Sequence, residues 1–208
     1  MILDKFSLQG KVAIVTGCDT GLGQGMAIGL AQAGCDIVGI NVVEPLETAD
    51  KIEETGRRFL SLKADLSKQD GIPALLEKAQ AVARQFIKQG NGGKIINIAS
   101  MLSFQGGIRV PSYTASKSAV MGLTRLMANE WAAHNINVNA IAPGYMATNN
   151  TQQLREDKAR SEEILSRIPA GRWGLPQDLM GPVVFLASSA ADYISGYTLA
   201  VDGGWLAR

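Results

Sequence analysis

The chain has few cysteines, a single histidine and little aromatic character, and neither sign of charge dominates. Cys18 and Cys35 are too few for a disulfide framework and lack metal-ligand spacing, so both read as small apolar side chains. His134 stands alone, which excludes a histidine-based metal centre, and no metal is expected. Twenty Lys and Arg against 19 Asp and Glu leave a net charge of +1, with no basic stripe to hold nucleic acid. No apolar run reaches the roughly 18 residues of a membrane span. The opening MILDKFSLQGKVAIV breaks its apolar residues with an acid and a lysine, so no secretory leader is expected. These absences predict a cytoplasmic protein with neither a membrane nor a nucleic-acid partner. The 46% of apolar residues in 208 positions suits one domain, residues 1–208, with a substantial core.

Short apolar runs alternate with longer helical ones, the pattern of parallel strands covered by helices on both faces. Strands are predicted at Lys11–Thr16, Asp36–Asn41, Arg58–Lys63, Lys94–Ala99, Asn135–Ala142 and Tyr197–Val201. Helical periodicity fills Gly21–Ala33, about Ile72–Gln89, Tyr113–Ala133, about Thr151–Ser166 and Pro176–Ser188. The fold class is therefore α/β, a single-domain, doubly wound parallel sheet of the Rossmann type.

Between the first strand and the first helix lies Thr16-Gly17-Cys18-Asp19-Thr20-Gly21-Leu22-Gly23. Glycines allow a sharp turn and a close backbone approach to a pyrophosphate, and the helix amino terminus offers unpaired N–H groups and partial positive charge. A strand before and a helix after give the motif its required context, although a plain glycine-rich turn would share it. Gly17, Asp19, Thr20, Gly21, Leu22 and Gly23 are thus candidate cofactor contacts. Asn41, at the end of the second strand, falls where such folds meet the adenosine ribose. No lysine or arginine occurs between Asn41 and Asp50, so a 2′-phosphate would meet Asp19 and Glu44 with no cation. NAD is the expected cofactor. Asp65, just past the third strand, is placed to touch the adenine, or simply to cap a turn.

A second constellation follows the fourth strand. Ser100 stands at its end, and thirteen residues later Tyr113 lies one helical turn from Lys117. Positions four apart share a helix face, so an ammonium can sit beside the phenol and favour its ionised form. That would make Tyr113 a candidate acid/base. The same spacing also occurs as an ordinary surface pair, and only its neighbours give it weight.

The ordered set of glycine loop, Ser100, Tyr113-x-x-x-Lys117, Pro143-Gly144 and Asp202-Gly203-Gly204 resembles the short-chain dehydrogenase/reductase family. The resemblance implies that Tyr113 is the general acid/base and that Ser100 holds the substrate oxygen. It also implies that Lys117 assists the tyrosine and binds the nicotinamide ribose. Pro143, Gly144, Met146 and Thr148 match the stretch that borders the nicotinamide. The strings NIASMLSFQGGIRVPSYTASK and PAGRWGLPQDLMGPVVFLASSAADYISGYTLAVDGGWLAR resemble the branch of the family that acts on deoxy sugar acids in pectin and uronate breakdown. A carboxylated substrate needs a cation, for which Arg109 and then Arg172 are candidates, with Tyr145 a further candidate contact. A homo-oligomer, most simply a tetramer, is implied.

The chain departs from the family pattern in one place. Only 28 residues separate Asp65 from Lys94, and they read as one helix with Leu75, Leu76, Ala79, Val82, Ala83, Phe86 and Ile87 in phase. About 45 residues of the family pattern, a strand and a helix bearing a further catalytic asparagine, have no counterpart, and the join falls near Val82-Ala83. Either this sequence omits a segment, or the deletion is real and the site is damaged, or one crossover helix replaces the unit. If the deletion is real, the alternative function is a catalytically impaired nucleotide-binding or assembly protein. Moving the serine strand into the vacant position would shift Ser100 and Tyr113 by about one strand spacing, far beyond what catalytic geometry tolerates.

Overall fold

A computed structural model describes residues 1–65 and 71–208, the side chains of 71–79 apart. Among the described residues six strands form, each parallel to its neighbours. They are β1 (Val12–Thr16), β2 (Asp36–Asn41), β3 (Phe59–Lys63), β4 (Gly93–Ile98), β5 (Ile136–Pro143) and β6 (Thr198–Val201). The parallel α/β architecture is the expected one, and the described strands make two sheets of three, ordered β1-β2-β3 and β4-β5-β6, as the absence of one strand-helix unit of the family pattern allows. Among the described residues β1 pairs only with β2 and β4 only with β5. The serine strand has therefore not moved across to pair with β1. Among the described residues no strand joins β1 to β4.

The helices are α1 (Gly21–Gln32), α2 (Leu46–Glu53), α3 (Gly71–Gln89), α4 (Pro111–Trp131), α5 (Gln152–Glu156), α6 (Lys158–Arg167) and α7 (Met180–Ala187). The single helix predicted over 151–166 is broken at Asp157, whose backbone is extended and whose carboxylate accepts from the Arg160 N–H. An Asp in that role satisfies a donor of the new first turn and so starts a second helix. The helix α2 was not foreseen, because only Thr48 and Ile52 of its residues are buried, too sparse a pattern to register. Of the helical phase read over 72–89, Leu75, Leu76 and Ala79 lie outside the described side chains. Ala83 and Phe86 pack in a cluster with Met127, Trp131 and Val138, whereas Ile87 is exposed.

The main core lies on one face of both sheets. Val15 and Ile37 from the first sheet, Ile141 from the second, Met26, Ala27 and Leu30 of α1, and Val183 and Leu186 of α7 form one cluster. Ile96 and Ile98 of β4 pack against it. The layer of α1 and α7 therefore spans both sheets. On the opposite face α4 packs on β4 and β5 of the second sheet.

Candidate active site

The glycine loop turns at the carboxyl end of β1, and α1 begins at Gly21. Gly21 has φ +58°, a conformation that disfavours any side chain bearing a Cβ. At Gly23 an added Cβ would stand 2.0 Å from the Gly17 carbonyl oxygen, so no other residue fits. Thr20, the N-cap, makes no side-chain bond to the first turn, so its hydroxyl occupies none of the amino-terminal N–H groups of this 12-residue helix. Beside this turn opens a cleft of about 470 Å³, lined by Thr16, Gly17, Asp19, Asn41, Val42 and Asp65 among others. These residues fit a dinucleotide: a bare helix amino terminus meets its pyrophosphate, and a groove across three parallel strand ends takes its adenosine.

Asn41, in the cleft lining, also fastens the glycine loop. It is 3% exposed; its Oδ1 accepts from the Cys18 N–H at 2.7 Å, and its Nδ2 lies 3.4 Å from the Cys18 sulfur. Thr48 of α2 donates to the Cys18 carbonyl at 2.7 Å and accepts from Gln24 at 3.0 Å. Gln24 also reaches the Asp19 carbonyl at 3.3 Å. The loop is thus fastened from β2, α2 and α1 at once. Neither Thr48 nor Gln24 belongs to a motif, and nothing in the sequence singles them out. Burial pushes the Cys18 thiol up, so it stays protonated inside this fastening.

The strand β4 delivers Ser100. Its Oγ accepts from the Leu102 N–H at 3.2 Å as the cap of a short turn over Met101–Ser103, so its own proton is left to donate elsewhere. Ser103 Oγ in that turn donates to the Lys117 carbonyl at 2.7 Å, and Lys117 Nζ donates to the Ile98 carbonyl at 2.8 Å. These two bonds lock α4 to the end of β4. Lys117 Nζ lies 5.7 Å from the centre of the Tyr113 ring, and Tyr113 itself is 47% exposed at the first turn of α4. Burial pushes the Lys117 ammonium below the usual lysine range.

The stretch after β5 brings the third part. Pro143 ends that strand, and Met146, 5% exposed, pairs by a bridge with Gly174. The Thr148 methyl lies 3.6 Å from where a Cβ on Gly21 would stand, which sets this stretch against the glycine loop. Tyr145 packs edge-on to Trp173 and Trp205 at centroid distances of 5.5 and 4.9 Å. The two candidate cations differ sharply. Arg172 makes a forked pair with Asp178 at 2.7 and 2.8 Å and holds its carboxyl down at about 2. Arg109 is exposed, takes the left-handed φ of +64° in the loop before α4, and has no hydrogen bond or ion pair among the described residues.

Comparison with known proteins is consistent with this arrangement. The short chain dehydrogenase family model matches residues 11–83, and the enoyl-(acyl carrier protein) reductase model matches 79–206. The two meet at 79–83. The 2-dehydro-3-deoxy-D-gluconate 5-dehydrogenase of Escherichia coli is 68% identical over 253 aligned positions that cover all of both chains. Against the 208 residues here, that leaves at least 45 positions with no residue of this chain. A structure from Agrobacterium tumefaciens, provisionally assigned as a 2-deoxy-D-gluconate 3-dehydrogenase with bound NADP, superimposes with TM-score 0.92. It is 47% identical, over 99% of this chain and all of that one. A gluconate 5-dehydrogenase from Burkholderia cenocepacia, in complex with NADP and tartrate, gives TM-score 0.89 at 32% identity over all of both chains.

Proposed function

The chain belongs to the short-chain dehydrogenase/reductase family, and from that premise we propose that it interconverts a hydroxyl and a ketone on a deoxy sugar acid of the 2-dehydro-3-deoxy-D-gluconate type, in uronate and pectin breakdown. The observation that carries the substrate reading is the extent of identity to the Escherichia coli 5-dehydrogenase. Bound nicotinamide dinucleotide supplies the hydride acceptor in one direction and the donor in the other. The Ser100 hydroxyl, its lone pair engaged by Leu102, donates to the substrate oxygen and orients it. The Tyr113 hydroxyl exchanges its proton with that same oxygen, and the Lys117 ammonium beside the ring stabilises the phenolate phase of the cycle. Arg109, with no partner among the described residues, holds the substrate carboxylate; Arg172 is engaged by Asp178 and takes no part.

NAD is the proposed cofactor, although the two structures compared above hold NADP. The support is local: among the described residues the cleft lining contains Asp19 and no lysine or arginine to neutralise a 2′-phosphate. Assembly into a homo-oligomer, most simply a tetramer, and a place in the cytoplasm complete the proposal. The exposed Leu126 on α4 supports the first of these.

The test is turnover of 2-deoxy-D-gluconate or 2-dehydro-3-deoxy-D-gluconate with NAD(H) and with NADP(H), followed by the absorbance of the reduced nicotinamide. Turnover with NAD(H) that falls about 10²–10⁴-fold in Tyr113→Phe is the expected result. The alternative, a nucleotide-binding protein with an impaired site, is favoured by the 45 positions that relatives fill and this chain does not. Cofactor binding without turnover would establish it.

A further inference from the structure

Two features of the first sheet stand out. One is its edge: among the described residues β1, sequence VAIVT, pairs on one side only, and β4 of the second sheet likewise pairs only with β5. The other is its face. The register sets Ile14, Val38 and Leu60 in one row and Ile40 beside Leu62 in the next, with Val12 a further step along β1. Val12, Ile14, Leu60 and Leu62 are 62, 59, 55 and 45% exposed. A contiguous apolar sheet face and an uncharged open edge are both features that soluble proteins ordinarily cover or guard.

We propose that the gap between β1 and β4, with the apolar face beside it, is a docking site for one parallel strand and an attached amphipathic helix supplied by a separate polypeptide. Three observations select this occupant. First, the chain superimposes on a solved structure 47% identical to it with TM-score 0.92 over 99% of its length, so its overall arrangement follows that fold. Residues of β1 and β4 also share the cluster under α1 and α7, so the gap is already framed on one side. Second, relatives fill at least 45 positions that this chain lacks, and the two family matches meet at 79–83, within the connection from the first sheet to the second. That length suits a strand of about 5–6 residues, a helix and their connections. Third, a second copy of this chain fits poorly. Any edge strand it offers is already paired on its other side, so it satisfies one of the two open edges and not both.

The occupant's strand must be apolar on both sides, as a central parallel strand is, and its helix must turn an apolar stripe to Val12, Ile14, Leu60 and Leu62. Its carboxyl end would emerge between the glycine loop and Ser100, where strand order reverses and ligands bind in folds of this kind. Docking is therefore expected to tighten cofactor binding as well.

The experiment uses the full chain and a fluorescent synthetic peptide with the Escherichia coli relative's residues that align with none of this chain. Anisotropy should report saturable binding, and a scrambled peptide should not compete. Ile14→Asp and Leu60→Asp, each checked for an unchanged circular dichroism spectrum, should weaken binding at least tenfold. Absence of binding, equal binding of the scrambled peptide, or binding indifferent to both variants overturns the proposal. So does sedimentation that shows these two variants dissociating a homodimer, which would make a second copy the occupant. Peptide binding that leaves sugar-acid turnover absent supports this proposal while counting against the substrate reading, so the two fail separately.

Discussion

The two three-stranded sheets are built from similar strands and are covered very differently. The second is sandwiched: β5 is buried along almost its whole length, between α4 on one face and α7 on the other. The first alternates, with Ile37, Gly39 and Asn41 of β2 buried and the opposite face of β1 and β3 exposed. The first carries the glycine loop, and the second carries Ser100 and receives Tyr113 and Lys117. The proposed cofactor loop and the proposed proton-transfer residues thus sit on separate sheets held together by one helical layer. The integrity of the site depends on that layer.

The largest effect on stability should come from breaking the joining layer. Leu186 of α7 is 1% exposed and belongs to the cluster that spans both sheets. Leu186→Ala should lower stability by about 2–5 kcal/mol, by loss of buried area and the cavity left behind. Urea unfolding measures it, and the comparison predicts that both sheets unfold together in the wild type. Separate transitions for cofactor binding and for tryptophan fluorescence would mean that the sheets are independent units.

Next comes the fastening of the glycine loop, which belongs to the first sheet alone. Asn41→Ala would leave the Cys18 N–H buried without its acceptor, at a loss of about 1–3 kcal/mol. Isothermal titration should show weaker NAD binding, whereas the second sheet's contacts at Lys117 stay intact. A loss of turnover with unchanged cofactor affinity would contradict this division of labour.

Much of this architecture is legible in the residues. Continuous apolar runs such as VAIV and INVNAIA mark strands; INVNAIA is buried on both faces, whereas Val12 and Ile14 of VAIV lie on an exposed face. The glycine loop and the Ser100, Tyr113, Lys117 set are readable because each demands particular residue types at fixed spacing. Three features escape. The helix α2 buries two side chains and leaves no periodic signature; Thr48 acts through a carbonyl thirty positions away. Asn41 was placed correctly at the strand end, but the direction of its side chain is set by strand alternation, which turns it toward the core. The split into two sheets is a matter of what is missing between β1 and β4, and no individual residue records it.

A smaller effect is expected from acid. The forked bond to Arg172 holds the Asp178 carboxyl down at about 2, against an ordinary value of 3.8. The stabilisation is complete above the ordinary value, where the unfolded carboxyl is also ionised. It fades as pH falls from 3.8 toward 2, when the proton first favours the unfolded chain. Arg172 is more than half exposed, so solvent screening reduces the contribution to on the order of 1 kcal/mol. Asp178→Asn should flatten the pH dependence of stability in that window and lower stability at neutral pH by a similar amount, because the ionised carboxylate is what accepts from Arg172 and from the Leu175 N–H.

The smallest effect tests the comparison most directly. Ile14 and Ile37 lie on neighbouring strands of one sheet, but Ile14 is 59% exposed and Ile37 1%. The same isoleucine therefore contributes differently according to which face it occupies. Ile14→Ser should change stability by no more than about 0.5 kcal/mol, because its side chain already meets water in the folded state. Ile37→Ser would introduce an unpaired hydroxyl and a void into the core. If Ile14→Ser instead destabilises the isolated protein by several kcal/mol in urea, the apolar face of the first sheet is covered in solution. Concentration dependence of that loss would then identify self-association, because only an oligomer's stability changes with protomer concentration.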